Sequence, residues 1–187
     1  MNARPLSYAE AFLKYFDVQY AKEDWQRDQA GRIRYRVYCE EFGYEQKASF
    51  PDGIERDEFD QSSLHCLVMH KLSDMPAGCV RVVLAGSDDQ LPFEKFCGDS
   101  LDPEFFEGNP LPRESFGEIS RLAVDGAFRR RSGEQATRFG GLHIADLSRQ
   151  ERRTFPLIAV SCYLAATAMT ALSGRNSGFA MMEPFLP

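Results

Sequence analysis

The chain predicts an α/β (α+β) domain, with helices flanking a sheet, and three stretches carry that prediction. Leu64 to Leu72 and Ala77 to Ala85 are apolar runs joined by Ser73-Asp74-Met75-Pro76, which reads as an antiparallel hairpin. Phe116 to Asp125 is a further strand, rich in apolar and β-branched residues and closed by the Asp125-Gly126 turn signal. Helical patterns stand on either side, from about Asp24 to Phe42 and from about Phe155 to Leu172.

The chain is organised around the Phe116 to Asp125 strand, because two unlike charges sit inside it. A charge in a buried strand costs several kcal/mol, roughly, unless it is paired or used. Side chains alternate along a regular strand, so Glu118 and Arg121 would point to opposite faces. They share a face only if a bulge intervenes. A strand splayed in this way would present a carboxylate to a cleft.

In chain order, Ser7-Tyr8-Ala9-Glu10 has capping-box spacing and starts a short helix. Tyr15 to Tyr20 reads as a brief strand. In the Asp24 to Phe42 helix, Ile33, Val37 and Phe42 lie near one stripe and Gly43 ends it. Arg34 and Arg36 ride on that helix. Glu45 to Ser63 is a loop, with Pro51-Asp52-Gly53 as a turn and Glu55-Arg56-Asp57-Glu58-Phe59-Asp60 concentrating charge among apolar residues. That mixture fits a half-packed loop lining a pocket.

Arg81 is the lone charge of the second hairpin strand and needs an acidic partner, Asp57, Asp60 or both. Pro92 to Phe96 is a short helical turn, and Leu101 to Arg113 is irregular. Residues 126–153 form a polar, arginine-rich insertion with seven arginines and no lysine. Part of it, Glu134 to Gln150, has helical character. Thr154 is a fair N-cap with Pro156 in the first turn, Gly174 stops the last helix, and Ser177 to Glu183 reads as one more strand.

The 187 residues, 43% hydrophobic and 12% aromatic, suit a single globular domain spanning 1–187. No apolar run reaches membrane-spanning length, and Met1 to Glu10 holds no signal-peptide core. Five cysteines with no C-x-x-C pair read as reduced, mostly buried thiols of a cytoplasmic protein. His65, His70 and His143 have no metal-ligand spacing; the first two read as residues of one strand, so no metal is expected. A net charge of −6 argues against a general nucleic-acid binder.

The order strand, helix, loop, hairpin, charged strand, helix, strand resembles the GNAT acyltransferase fold. Ile33-Arg34 with Tyr38, then Tyr44, then Glu55-x-Asp57-Glu58-Phe59-Asp60, then Cys79-Val80-Arg81, then Glu118-x-Ser120-Arg121-x-x-Val124-Asp125, resembles the acyl-homoserine lactone (autoinducer) synthases. The match runs from about Phe16 to Asp125. The variant around Arg34 to Glu45 looks closer to N-acyl amino acid synthases and the acyltransferases of exosortase/PEP-CTERM systems. The resemblance implies a central, mixed, mostly antiparallel sheet with a splayed central strand. It implies catalytic positions at Glu118, Arg121, Arg81, Asp57, Asp60 and Glu55, and substrate-binding positions at Arg34, Tyr38, Tyr44, Phe59 and Ser120. Tyr38 and Tyr44 stand where the synthases carry phenylalanine and tryptophan, which weighs against S-adenosylmethionine as substrate. Typical members continue beyond the Ser177 strand, so the chain reads as C-terminally shortened.

The expected activity is N-acyl transfer from an acyl carrier protein thioester to the amine of an amino acid or related small amine. No bound cofactor is expected; acyl-CoA and S-adenosylmethionine are the lesser donors. Arg130-Arg131-Ser132-Gly133-Glu134-Gln135 only partly matches the GNAT pyrophosphate loop, which suits a phosphopantetheine arm lacking the adenosine diphosphate of CoA. Arg129, Arg130 and Arg131 are the expected docking surface for the acidic carrier protein. The alternatives are a lactone synthase using S-adenosylmethionine, an acetyl-CoA-dependent N-acetyltransferase, and a non-catalytic module binding acylated ligands.

Overall fold

The computed structural model describes residues 6–86, 89–98, 112–129 and 147–174. Helix α1 (Tyr8–Tyr15) leads into strand β1 (Phe16–Tyr20). Its start is closed by a reciprocal cap, Ser7 Oγ accepting from Glu10 N and Glu10 Oε2 from Ser7 N. Helix α2 (Asp24–Arg34) continues without a break into a π-helical segment, Tyr35–Glu41. Strands β2 (Ser63–His70) and β3 (Met75–Leu84) form the expected hairpin, followed by α3 (Pro92–Cys97) and β4 (Gly117–Val124). The described chain closes with α4 (Arg149–Arg152) and α5 (Leu157–Leu172).

The strands form one sheet in the order β1-β2-β3-β4, every described pair antiparallel. Helix α5 packs on one face, where Val68, Val80 and Val82 meet Phe16, Phe128, Ile158, Cys162 and Ala166 in the larger core. Gly78 of β3 permits that contact: a Cβ there would lie 2.7 Å from the Ile158 side chain. Helix α2 and the π-helical segment after it cover the other face, with Ala30, Ile33 and Val37 against Leu67, Cys79 and Ala123. A third cluster, Phe59, Val83, Ala85 and Leu91, extends this second face beyond α2.

Two sequence expectations change. The single helix from Asp24 to Phe42 becomes α-helical and then π-helical. The wider turn rotates the apolar stripe, so Val37 stays buried while Phe42 leaves the core and stacks on Tyr44, ring centroids 5.3 Å apart. Thr154 does not cap the last helix; its hydroxyl donates back to the Glu151 carbonyl at 2.6 Å, and α5 starts after Pro156. The strand expected at Ser177 to Glu183, and residues 130–146 of the arginine-rich stretch, lie outside the described residues.

Cys39, Cys66, Cys79 and Cys162 are buried and Cys97 is half-buried. No described helix is long and apolar enough to cross a membrane. His65 and His70 both lie in β2, and no group of potential metal ligands is found among the described residues.

Candidate active site

The site begins with a register break. Arg81 of β3 pairs with Ser120 of β4, but Cys79 pairs with Ala123, so β4 holds one extra residue between them. Arg121 takes the left-handed backbone, φ 51°. For a residue with a Cβ that costs roughly 1–2 kcal/mol and persists only where the surroundings hold it. The bulge places two consecutive side chains on one face. Ile119, Leu122 and Val124 pack into the α5 core, whereas Ser120 meets Arg81 and Arg121 turns toward the 45–57 loop.

Three guanidiniums and three carboxylates then alternate in a closed ring. Arg34, at the end of α2, grips Asp60 with two parallel bonds, Nη1–Oδ1 2.8 Å and Nη2–Oδ2 2.7 Å. Its Nε pairs with the Glu55 carboxylate. Glu55 Oε1 lies 3.2 Å from Arg121 Nε. Arg121 Nη2 reaches Asp57 Oδ2 at 3.4 Å. Asp57 pairs with Arg81, whose Nη1 also meets Asp60 Oδ1 at 2.8 Å and closes the circuit. Arg34, Glu55 and Arg81 are each at most 2% exposed, so these charges survive burial because each has an opposite neighbour on both sides.

Local backbone explains why the ring assembles. Gly31 lets residues 54–55 lie directly on α2, Glu55 N donating to Gly31 O at 3.1 Å. A Cβ on Gly31 would sit 2.5 Å from the Ile54 side chain and 2.9 Å from the Glu55 carbonyl. Asp57 caps a short 3-10 turn, Glu58–Ser62, accepting from Phe59 N at 3.0 Å while Asp60 Oδ2 accepts from Asp57 N at 3.1 Å. Buried His65 receives its place from the Asp60 carbonyl, 3.1 Å from Nε2.

Burial opposes the charge on Asp60, but its bonds to Arg34 and Arg81 outweigh that and hold its carboxyl well below the usual range. Burial also opposes the charge on Arg34, and Asp60 and Glu55 reverse the balance, so its pKa is raised. His65 is pushed down by burial and stays neutral near pH 7.

Glu118 stands beside the ring but outside it. Among the described residues no cation lies within ion-pairing distance of its carboxylate; its one hydrogen bond comes from the Phe93 backbone N–H, 2.9 Å from Oε2. Phe93 lies in the first turn of α3, where helix N–H groups have no helical acceptor. Burial raises the Glu118 pKa; the Phe93 bond and the more distant Arg81 act against it without cancelling it. A half-buried carboxylate with a raised pKa is suited to take up a proton. Cys79 is no rival as nucleophile, since burial pushes its thiol up to about 12.

The expected substrate positions divide. Tyr38 is half-buried; its hydroxyl donates to the Leu122 carbonyl at 2.8 Å beside the bulge, and its ring lies under Arg121, 5.6 Å from the guanidinium carbon. Burial raises the Tyr38 pKa, so it remains a phenol. Ser120 accepts from Arg81 Nε at 3.1 Å. Phe59 is buried beneath Arg81, 5.9 Å from the guanidinium carbon to the ring centre. Tyr44 is 74% exposed and stacks only on Phe42. Arg129, expected in the docking surface, pairs with Glu41 and lies over the Phe42 ring. Arg130 and Arg131 are outside the described residues.

Sequence reasoning missed three participants. The Phe93 N–H on Glu118 follows from the Pro92 helix start, a signal that was there to read. Glu45, whose Oε1 is 3.2 Å from Arg121 Nη2, left no such signal. Arg36, read only as a helix-surface arginine, binds Asp125 through Nε at 2.7 Å and ties the π-helical segment to the end of β4.

A cavity of about 410 Å³ shares Arg34, Glu55 and Asp60 with the ring. Its remaining lining is Asp24, Arg27, Asp28, Arg56, Gln61 and His65, so it borders neither Glu118 nor Arg121.

The antiparallel sheet between helices, with a bulged strand carrying a half-buried carboxylate, is the setting of a family match that places this protein among the acyltransferases. The chain belongs to the acetyltransferase (GNAT) domain family, which it matches over residues 33–138, more than half its length. No curated protein matches the chain.

Three solved structures are similar. TofI, in a ternary complex with an inhibitor and MTA, has a TM-score of 0.53 and 19% identity, over 86% of this chain and 68% of that one. The AHL synthase LasI has a TM-score of 0.50 and 19% identity over the same shares. FeeM, an N-acyl amino acid synthase from uncultured soil microbes, has a TM-score of 0.52 and 16% identity, over 86% and 67%. The likeness is one of fold. It falls on the synthase groups that the motifs resemble, while the exosortase-associated group rests on the motifs alone.

Proposed function

We propose that the protein is a cytoplasmic N-acyltransferase that moves a fatty acyl group from an acyl carrier protein thioester to the amine of an amino acid or related small amine. The observation that carries this reading is Glu118, the carboxylate left out of the charge ring. An ammonium group is not a nucleophile, so the reaction needs a proton acceptor. Asp57, Asp60 and Glu55 are committed to arginines. Glu118 is free to accept the proton, directly or through a water.

The amine nitrogen then attacks the thioester carbonyl carbon. The C–N bond forms, the C–S bond breaks, and the departing thiolate takes a proton. The backbone N–H at the Arg121 bulge, displaced from the regular ladder, is the donor proposed for the tetrahedral oxyanion. Arg121 and Tyr38 hold the bulge in shape, and the ring pins the 54–60 loop over the site. The structural neighbour FeeM is an N-acyl amino acid synthase, which favours an amino acid acceptor. The altered aromatics at Tyr38 and Tyr44 weigh against S-adenosylmethionine.

The test is incubation of purified protein with acyl carrier protein thioesters and a panel of amino acids, read by mass spectrometry of extracted lipids. Parallel arms replace the donor by acyl-CoA and the acceptor by labelled S-adenosylmethionine. N-acyl amino acid formed only from the carrier thioester is the expected result. Labelled lactone, or acetyl transfer from acetyl-CoA alone, overturns the reading.

A further inference from the structure

Outside the Glu118 site, the β2–β3 hairpin carries a second chemical constellation. His70 ends β2 and is completely buried. Its Nε2 lies 2.6 Å from Glu151 Oε1, and its Nδ1 lies 2.7 Å from Ser73 Oγ. Glu151, 3% exposed, is itself held by the Ser148 backbone N–H at 3.3 Å. Phe16 and Phe128 confine the imidazole, ring centroids 5.2 and 5.4 Å away. His65, which borders the charge ring, is five residues back along β2, about 17 Å at the rise of an extended strand.

Hydrogen-bond polarity assigns the roles. An ionised carboxylate only accepts, so in the tautomer that can serve as a base Glu151 holds the proton on His70 Nε2. Nδ1 is then an acceptor, and the Ser73 hydroxyl donates to it. A hydroxyl hydrogen-bonded to a base that a buried carboxylate orients is the arrangement of an activated serine nucleophile. The base is buried, whereas Ser73 is half-buried on a four-residue turn between exposed Leu72 and Asp74, within reach of an electrophile from solvent.

We propose that Ser73 is a second acyl-accepting centre, with His70 as its base and Glu151 as the positioning residue. Its substrates are activated acyl esters and thioesters. Ser73 Oγ bonds to the carbonyl carbon as its proton passes to His70 Nδ1. The C–O or C–S bond then breaks, and the leaving group takes that proton. Water then gives a proton to His70 Nδ1 and bonds to the acyl carbon; the ester C–O bond to Ser73 breaks, Ser73 Oγ takes the proton back, and the free acid leaves.

The test uses a fluorophosphonate probe, which forms an O–P bond as fluoride leaves, with the labelled residue located by peptide mass spectrometry. The native chain is expected to label at Ser73 about 10²-fold faster than the heat-denatured chain, the low end of what a positioned base contributes. Ser73→Ala is expected to lose this label while keeping its far-UV circular dichroism and its acyl transfer to amine. Glu151→Gln is expected to slow labelling without changing that transfer, a split that a general loss of structure would not produce. Native labelling no faster than denatured, or label spread over other serines, overturns the proposal and leaves the three residues as a staple between hairpin and α4.

Discussion

At the scale of single residues, the site turns on which carboxylate lacks a cation. Burial raises the pKa of Glu118, and among the described residues its only hydrogen bond comes from an amide rather than a guanidinium. Glu118→Gln keeps the shape and the Phe93 bond but cannot take a proton. Acyl transfer is expected to fall about 10²–10⁴-fold with the melting temperature little changed. Wild-type turnover in the variant would remove Glu118 from the mechanism. The pH profile offers a second check. Only the ionised carboxylate acts as a base, and its ionised fraction falls as pH drops through the raised pKa. The acid limb of kcat/KM is therefore expected above about 4.3, the ordinary glutamate value, and to vanish from the residual activity of Glu118→Gln. This candidate base was half legible in the sequence. One acid in an apolar strand pointed to Glu118, but whether burial or the arginines governed its pKa depended on distances. The structure decides it, because Arg81 and Arg121 spend their charge on Asp57, Asp60 and Glu55.

At the scale of elements, the ring joins the end of α2, the 54–60 loop, β3 and the bulge of β4. Arg81 was legible as a buried cation needing an acid, because an apolar strand tolerates no unpaired charge. That the ring closes through Arg34 and Arg121 was not legible, since closure depends on the one-residue bulge, and no residue type announces a bulge at Arg121. Breaking a buried network by removing one member leaves a partner charge without compensation, so Arg81→Met is expected to destabilise the fold by about 3–5 kcal/mol in urea unfolding. A loss under 1 kcal/mol would show that the ring adds little. Asp60 makes the network pH-dependent. Unfolded, it titrates near 3.9, and in the fold its pKa is lower, so the unfolded chain binds more protons between the two values. Its contribution is complete above about pH 4 and is lost as pH falls through the folded value. Stability measured against pH is expected to drop less steeply below pH 4 in Asp60→Asn. Gly31→Ala tests the packing that sets Glu55 in place. Helix propensity alone would favour alanine by about 1 kcal/mol, but the Cβ has no room against Ile54 and the Glu55 carbonyl. Net destabilisation is expected, and a gain in melting temperature would refute the close-contact argument.

At the scale of the whole molecule, strand order, hairpin and flanking helices were readable because periodicity and turn residues are local. The bulged pairing of β4 with β3 and the switch from α to π geometry after Arg34 depend on contacts between distant segments. The charge distribution is also a whole-chain property. The protein carries −6 overall, yet residues 126–153 hold seven arginines and no lysine. On the docking expectation of the sequence analysis, this stretch would steer an acidic carrier protein to the site. Arg129 is already engaged, because it is paired with Glu41 and lies over Phe42. Its truncation is expected to lower the melting temperature, with little change in association rate. Arg130→Ala combined with Arg131→Ala is expected to do the reverse. Electrostatic steering acts on association rate and is screened beyond about 10 Å at 0.1 M salt. The double variant should therefore slow carrier association at low ionic strength, converge with wild type at high salt, and keep its melting temperature. Stopped-flow association at 20 mM and 500 mM salt, on the order chosen to span the screening length, separates these outcomes. Equal rates and equal salt dependence in the two proteins would move the docking surface elsewhere, while leaving the Glu118 assignment to stand or fall on its own kinetics.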